Sequence, residues 1–278
     1  MRESLQPPPS TTLSPMPTPK FGLIIIGDEI LSGKRADKHM VKVIELLAKR
    51  GLTLSYANYV GDDPVQITDA LKVAFASGDV VFSTGGIGAT PDDHTRQCAA
   101  KALSRDLVLH QEGAKLIYER MQDIAKENGA PYEPYRSDNQ HRLNMAVFPI
   151  GAELIPNPYN KIAGFYVNSV YFVPGFPIMA WPMMEWVLDT QYAQLFHKTS
   201  HTEQSVIVQG SMEATLTPLM EQIERDFVGI KVFSLPSVDH PQYGRHIELG
   251  VKGDANQVKT AFSVMVNGLN ALGVTLIR

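Results

Sequence analysis

The chain has one cysteine, Cys98, in 278 residues, which excludes an intramolecular disulfide and a thiolate metal cluster. Without a partner, Cys98 reads as a small buried hydrophobe. Long apolar runs are also missing. Leu23-Ile24-Ile25-Ile26 falls far short of the ~20 residues of a membrane span, so no membrane partner is expected. There is no basic excess: 25 Lys and Arg against 29 Asp and Glu give a net charge of −4, which argues against a general nucleic-acid binder. Residues 1–19 lack the apolar segment of a secretory signal and the Arg-rich pattern of a transit peptide, so a cytoplasmic location is expected. Rich in Pro, Ser and Thr, they read as an extended tail with too few apolar groups to offset ordering entropy. The eight histidines show no zinc-binding spacing, and Ser83 has no Gly-x-Ser-x-Gly elbow around it.

What is present is a core-forming composition, 44% hydrophobic and 19% charged, long enough for one large domain or a large and a small one. Gly22 to Ile26 is a continuous aliphatic run that suits a strand buried on both faces. Met40, Val43, Ile44 and Leu47 then repeat at helical spacing, with Gly51 as a stop. A strand over about Thr53 to Val60 follows, then Asp63-Pro64-Val65-Gln66 as N-cap, first-turn proline and capping-box glutamine. Asp79 to Ser83 is a third strand, and Asp93 to Ser104 a helix that Asp92 or Asp93 is placed to cap. Strand and helix alternating three times predict a parallel α/β sheet.

The middle is less regular. A helix is expected over Glu112 to Asn128, a short one over Ser137 to Ala146, and short strands and turns over Val147 to Val173. An aromatic- and Met-rich helical stretch, interrupted by Pro182, runs from Phe176 to Phe196; Trp181, Trp186, Met179, Met183 and Met184 read as core, with an interface or base-stacking patch as the alternative. Beyond a boundary near 198–201 the order becomes β-α-β-β-α-β, a split βαβ module. The expected division is therefore a tail over 1–19, a large domain over 20–198 and a small α+β domain over 199–278.

In a parallel sheet the loops after the strands emerge at one edge, where open α/β sheets bind ligands. Three such loops begin with glycine and then supply acids: Gly27-Asp28-Glu29, Gly61-Asp62-Asp63, and Thr84-Gly85-Gly86-Ile87-Gly88 running on to Asp92-Asp93. The third suits an anion cradle at a helix N-terminus, although no Gly-Lys-Ser/Thr follows to make a Walker loop. The acids outnumber the helices they could cap, which points to a divalent cation, Mg²⁺ or a similar hard ion, or to proton transfer. His94 beside them reads as a solvated first-turn histidine.

Taken together, Gly27-Asp28-Glu29-Ile30-Leu31-Ser32-Gly33, Val60 to Asp63 and Ser83 to Thr95 resemble the molybdopterin-binding (MoaB/Mog-like) domain, in the form found in the competence/damage-inducible CinA family. Asn157 to Phe165 and Val173-Pro174-Gly175-Phe176-Pro177 agree with it, and the likeness covers roughly 20–195. The chain departs from the family's usual Gly-Pro-Thr at Gly88-Ala89-Thr90, from its Asp-Thr-Asn at Asp37-Lys38-His39, and from its Thr-Ala-Pro-Gly-Phe at Lys161 to Phe165. The resemblance implies a three-layer α/β/α domain that binds the phosphate of a pterin or nucleotide at its glycine loop. It implies metal-dependent hydrolysis of an ADP-ribose-type pyrophosphate. Molybdopterin adenylyl transfer, with molybdopterin as ligand, and a non-catalytic binding module are the alternatives. On this reading Thr84, Gly85, Gly86 and Gly88 cradle phosphate, and Glu29 and Ser32 line the pocket. Gly27, Lys161 and Gly175 complete the substrate-binding set. Asp62 and Asp93 are the expected catalytic acids, and Asp62, Asp92 and Asp93 the metal ligands. The nicotinamide-mononucleotide deamidase activity of many CinA-family chains is expected to be missing. The likeness, with the apolar Phe176–Val187 stretch, implies a homodimer, or a homotrimer as the alternative.

Overall fold

The computed structural model describes residues 19–198 and 201–277; all but the last residue of the expected tail lies outside them. They form two compact units, one of residues 19–48 and Thr53–Gln194, the other of Lys49–Leu52 and 195–277. The expected boundary at 198/199 falls partly outside the described residues.

In the first unit β1 (Phe21–Ile26) leads into a one-turn helix α1 (Asp28–Leu31) and then α2 (His39–Ala48). Two further pairs follow, β2 (Leu54–Val60) with α3 (Pro64–Ser77) and β3 (Val80–Thr84) with α4 (Thr95–Leu103). Next come β4 (Leu107–Leu109), α5 (Gln111–Glu127) and α6 (Ser137–Arg142), the last running into a 3₁₀ turn over Leu143–Ala146. The unit continues through β5 (Val147–Pro149), β6 (Glu153–Ile155), β7 (Gly164–Val167), β8 (Val170–Val173) and α7 (Pro177–Gln191). The main sheet runs β2-β1-β3-β8-β7-β6. β1, β2 and β3 are parallel as expected and β8 joins them in parallel, while β7 and β6 add two antiparallel pairings at one edge. A two-residue turn joins β7 to β8 and a longer loop over 156–163 joins β6 to β7, an extension that short strands in a turn-rich stretch do not reveal.

Every residue of β1 is buried. Ile24 and Ile26 join a core with Ile67 and Leu71 of α3, Cys98 of α4 and Ile117 of α5. Successive residues of a strand face opposite ways, so Leu23 and Ile25 serve the other face, where α2 packs against α7. Helices on both faces make the three layers. The stripe that α2 buries is His39, Val43, Leu46 and Leu47, rotated from the expected one, and Ile44 is exposed. Local signals set α3 as expected: the Asp63 carboxylate accepts the N–H groups of Val65 and Gln66 at 3.0 and 2.8 Å, Pro64 opens the helix, and Gly78 closes it at φ 71°. In α7, Pro182 is accommodated inside a continuous helix. Its Ala180, Met183, Met184 and Val187 are buried within this unit, so core packing accounts for most of that apolar stretch; Phe176 and Ile178 are exposed.

In the second unit β9 (His201–Gln209), α8 (Glu213–Asp226), β10 (Lys231–His240), β11 (Gly244–Asp254), α9 (Ala255–Ala271) and β12 (Thr275–Ile277) follow in order. The strands lie as β10-β11-β9-β12 with every neighbouring pair antiparallel, which is the split βαβ arrangement. Val206, Leu249 and Val251 of the sheet and Leu216, Ile223, Val258 and Met265 of the helices make its own core. The outer residues of the β10–β11 hairpin are mostly polar and exposed, and cross-strand pairing, not burial, makes them strand. Among the described residues no helix is long and apolar enough to cross a membrane.

Phe148, Phe165 and Phe172 stack through the first core, with ring centroids 4.6 and 4.3 Å apart. Phe165 stands between the other two and is fully buried. Phe165→Ala is expected to destabilise this unit by about 3–5 kcal/mol, read as a lower urea midpoint at unchanged slope. A loss under about 1 kcal/mol would show that the site collapses and the stack is dispensable.

Candidate functional site

The parallel strands deliver their following loops to one edge, and reciprocal bonds tie the first two loops together. The N–H of Asp28 donates to the Asp62 carboxylate at 2.9 Å, and the N–H of Asp62 donates to the Asp28 carboxylate at 3.1 Å. Gly61 permits this approach, because a Cβ there would lie 2.6 Å from Asp28 Oδ1. The third loop forms one wall of a cavity of about 440 Å³ (Gly86 to Thr90, Asp92 and Asp93). Glu29 and Arg35 line a second side. Met145, Ile162, Ala163, Phe176 and Met179 supply an apolar wall beside Asn157, Asn160 and Gly175.

The glycine loop owes its shape to the first residue of α4. Thr95 is fully buried, its hydroxyl donates to the Gly85 carbonyl at 3.0 Å, and its N–H donates to the Gly86 carbonyl at 3.0 Å. In a trans peptide the carbonyl and the next N–H point opposite ways, and no peptide bond here is cis. Holding those two carbonyls against α4 therefore turns the N–H groups of Gly86 and Ile87 away from it, toward the cavity. Among the described residues neither N–H meets an acceptor. Gly86 sits at φ 66°, and a Cβ there would run into the Thr95 hydroxyl. The result is a pair of free backbone donors at a helix N-terminus, the chemistry that receives an anion.

The apolar wall is held from behind. Asn157, 5% exposed, donates to Asn160 Oδ1 and the Ile162 carbonyl at 2.8 and 2.9 Å and accepts the Tyr159 N–H at 3.0 Å. That leaves the Asn160 amide nitrogen with one long contact, 3.4 Å to the Met179 sulfur. Nε2 of buried His39 meets the Gly175 carbonyl at 3.0 Å. Arg35, Asn157, Asn160, Met145 and Met179 line the cavity although sequence reasoning did not name them as ligand-facing. Only the likeness of Asn157 to Phe165 to the family offered a signal.

Of the expected site residues, Glu29, Gly86, Gly88, Asp92, Asp93 and Gly175 line the cavity. Asp62 and Ser32 instead line an adjoining open depression with Asp28 and Lys34, sharing Glu29 and Asp92 with the cavity. Five expectations are corrected. Thr84 is buried, with its hydroxyl 3.5 Å from the Ile24 carbonyl, and does not reach the cavity. Gly85 spends its N–H on the Val173 carbonyl at 3.1 Å, and a Cβ on it would collide with the Ile26 carbonyl, so it is a close-packing glycine. Gly27 likewise donates to Val60 at 3.0 Å and lies outside the lining. Lys161 is turned away, paired with Asp123 of α5 at 2.7 Å. Neither Asp92 nor Asp93 caps α4, whose cap residue is His94; Asp93 Oδ2 instead accepts the N–H and hydroxyl of Thr90 at 2.9 and 2.5 Å.

The expected metal ligands line neighbouring surfaces, Asp92 and Asp93 the cavity and Asp62 and Asp92 the depression. Among the described residues no three His, Cys, Asp or Glu side chains are placed to hold an ion. Asp62 is tied to Asp28 and Asp93 to Thr90. This donor set does not fit a resident metal.

The sequence of residues 22–194 matches the family model described as "Probable molybdopterin binding domain". A CinA-like protein of Geotalea uraniireducens is 30% identical over 218 residues, covering 77% of this chain and 50% of that one. The chain thus spans about half the length of this relative. The crystal structure of CinA from Thermoplasma acidophilum, a protein of unknown function, aligns with a TM-score of 0.50 at 26% identity, over 61% of this chain and 97% of that one. MoaB from Thermus thermophilus, a molybdopterin biosynthesis enzyme, aligns with a TM-score of 0.41 at 19% identity, over 64% and 94%.

The acids leave a mark on stability. Burial pushes the Asp62 carboxyl above the ordinary carboxylate range, the charges of Asp28, Glu29 and Asp92 add to the rise, and the Asp28 N–H opposes it. A raised folded pKa means that the native state holds this proton to higher pH than the unfolded chain. Ionisation of Asp62 then costs stability as pH rises from the ordinary carboxylate value through the folded one. Asp62→Asn keeps an acceptor for the Asp28 N–H and is expected to raise Tm at neutral pH. The gain should vanish in acid, where both proteins carry a neutral side chain. A Tm difference independent of pH would contradict this account.

Proposed function

The chain belongs to the molybdopterin-binding domain family, and on that premise we propose that its cavity binds a pterin or nucleotide phosphate and hydrolyses an ADP-ribose-type pyrophosphate. The observation that carries the reading is the pairing of two free backbone donors, on Gly86 and Ile87, with an apolar wall in one cavity of about 440 Å³. That volume lies within the range of small-molecule sites. Phosphate takes the amide end, and the heterocycle lies along Ile162, Phe176 and Met179, where the Asn160 amide meets its polar edge.

Hydrolysis adds water across one P–O bond: a new P–O bond forms, the bridging bond breaks, and the departing phosphate oxygen ends protonated or as the anion. Asp93 is the acid suited to take the proton from water. Oδ2 is committed to Thr90, while Oδ1 has no hydrogen-bond partner among the described residues. Because the acids do not fit a resident metal, a hard divalent cation enters as part of the substrate, carried on its phosphates, with Asp92 facing it.

Incubation with ADP-ribose and Mg²⁺ is expected to release AMP and ribose 5-phosphate. Pyrophosphate released from ATP in the presence of molybdopterin would identify an adenylyl transfer instead. Tight ADP-ribose binding without turnover would leave a ligand-binding module. Asp93→Asn retains an oxygen acceptor for Thr90 and should unfold within a few degrees of the parent, while AMP release falls ~10²-fold or more. Unchanged release by this variant would remove Asp93 from the reaction.

A further inference from the structure

On the far side of the glycine loop lies Arg96, the second residue of α4, 4% exposed and outside the cavity lining. Its Nη2 donates to the Gly88 carbonyl at 2.5 Å and its Nη1 to the Asn144 carbonyl. Nε has no partner among the described residues. Nor does any carboxylate among them form an ion pair with the guanidinium; Asp93, the acid whose charge acts on it, has its Oδ2 engaged by Thr90. Burying a cation against carbonyls alone is costly, and an apolar side chain of similar length would fill the same space without that cost.

We infer that Arg96 is a positioning residue of the anion cradle, and that its buried charge is matched by the phosphate of the ligand. The inference rests on the phosphate end of the function proposed above. The trans geometry that applies at Gly85 and Gly86 applies again at Gly88. Its carbonyl is drawn back to Arg96, so the Ala89 N–H turns the opposite way, toward the cavity that Ala89 lines. That N–H has no acceptor among the described residues and makes a third donor beside those of Gly86 and Ile87. A cation on the carbonyl oxygen also polarises the peptide and strengthens its N–H as a donor. The other arm of Arg96 holds the carbonyl of Asn144, and Met145 next to it lines the opposite side of the cavity. One guanidinium thus sets the spacing between the phosphate end and the apolar wall.

Calorimetric titration of the full chain with inorganic pyrophosphate, ADP-ribose and adenosine tests this. Arg96→Met is expected to weaken pyrophosphate and ADP-ribose by about 10- to 100-fold, the range for a lost charge-assisted bond, and to change adenosine by less than about twofold. Arg96→Lys keeps the charge and one carbonyl bond, so it should recover most of the pyrophosphate affinity. If Arg96→Met does not fold, Arg96→Lys decides: a modest loss confined to the two anions supports the inference, and an equal loss for adenosine overturns it. Equal losses for all three ligands in Arg96→Met would likewise mean that Arg96 only holds the fold. A parent that binds adenosine but neither anion overturns both the inference and the phosphate reading. A parent that binds pyrophosphate in an Arg96-dependent way but no ADP-ribose or pterin upholds the inference and overturns only the proposed ligand.

Discussion

A peptide plane cannot turn its carbonyl and its following N–H to the same side, and the site of this protein depends on that constraint. Thr95, at the first turn of α4, holds the carbonyls of Gly85 and Gly86. The free N–H groups on the opposite side are a consequence of that grip. Glycine is needed at 86 because the backbone is left-handed there and the Thr95 hydroxyl occupies the place of a side chain. Substituting Thr95 would redirect the donors without touching a residue that lines the cavity.

Acids crowd the same edge, and they divide by environment. Asp28 and Asp62 brace two loops against each other through backbone N–H groups. Asp63 is a helix cap. Asp93 closes the Thr90–Asp93 turn and keeps one oxygen free at the cavity. Only Asp92 and Asp93 of the expected metal set line the cavity, and Asp62 carries an unfavourable charge beside it. Strain of this kind is tolerated at functional sites because the surrounding structure holds it in place; here the buried strand β1 and the phenylalanine stack supply the rigidity.

Membership of the molybdopterin-binding domain family accounts for the first unit, and the match ends at residue 194, the last residue of that unit. The second unit has a separate core and a complete split βαβ topology. Half of the Geotalea uraniireducens relative lies beyond the aligned region, so the chemistry of this chain is argued from its own cavity.

Local signals were enough for much of this. The unbroken aliphatic run of β1, the Asp63-Pro64 start and Gly78 stop of α3, and the glycine-acid loops act over a few residues, so the sequence by itself determined the strands β1 to β3, the ends of α3 and the edge bearing the site. It could not tell which loop groups face outward. Thr84 and Gly85 look like cradle residues, yet the neighbouring strands β1 and β8 claim their polar groups. Lys161 belongs to the expected substrate-binding set, yet α5 presents Asp123 to it. Nothing in the sequence singles out Arg96, which is buried where its guanidinium meets the Asn144 carbonyl of the Leu143–Ala146 turn. Such assignments depend on partners far away in the chain, and only the tertiary structure, by bringing 88, 96 and 144 together, decided them.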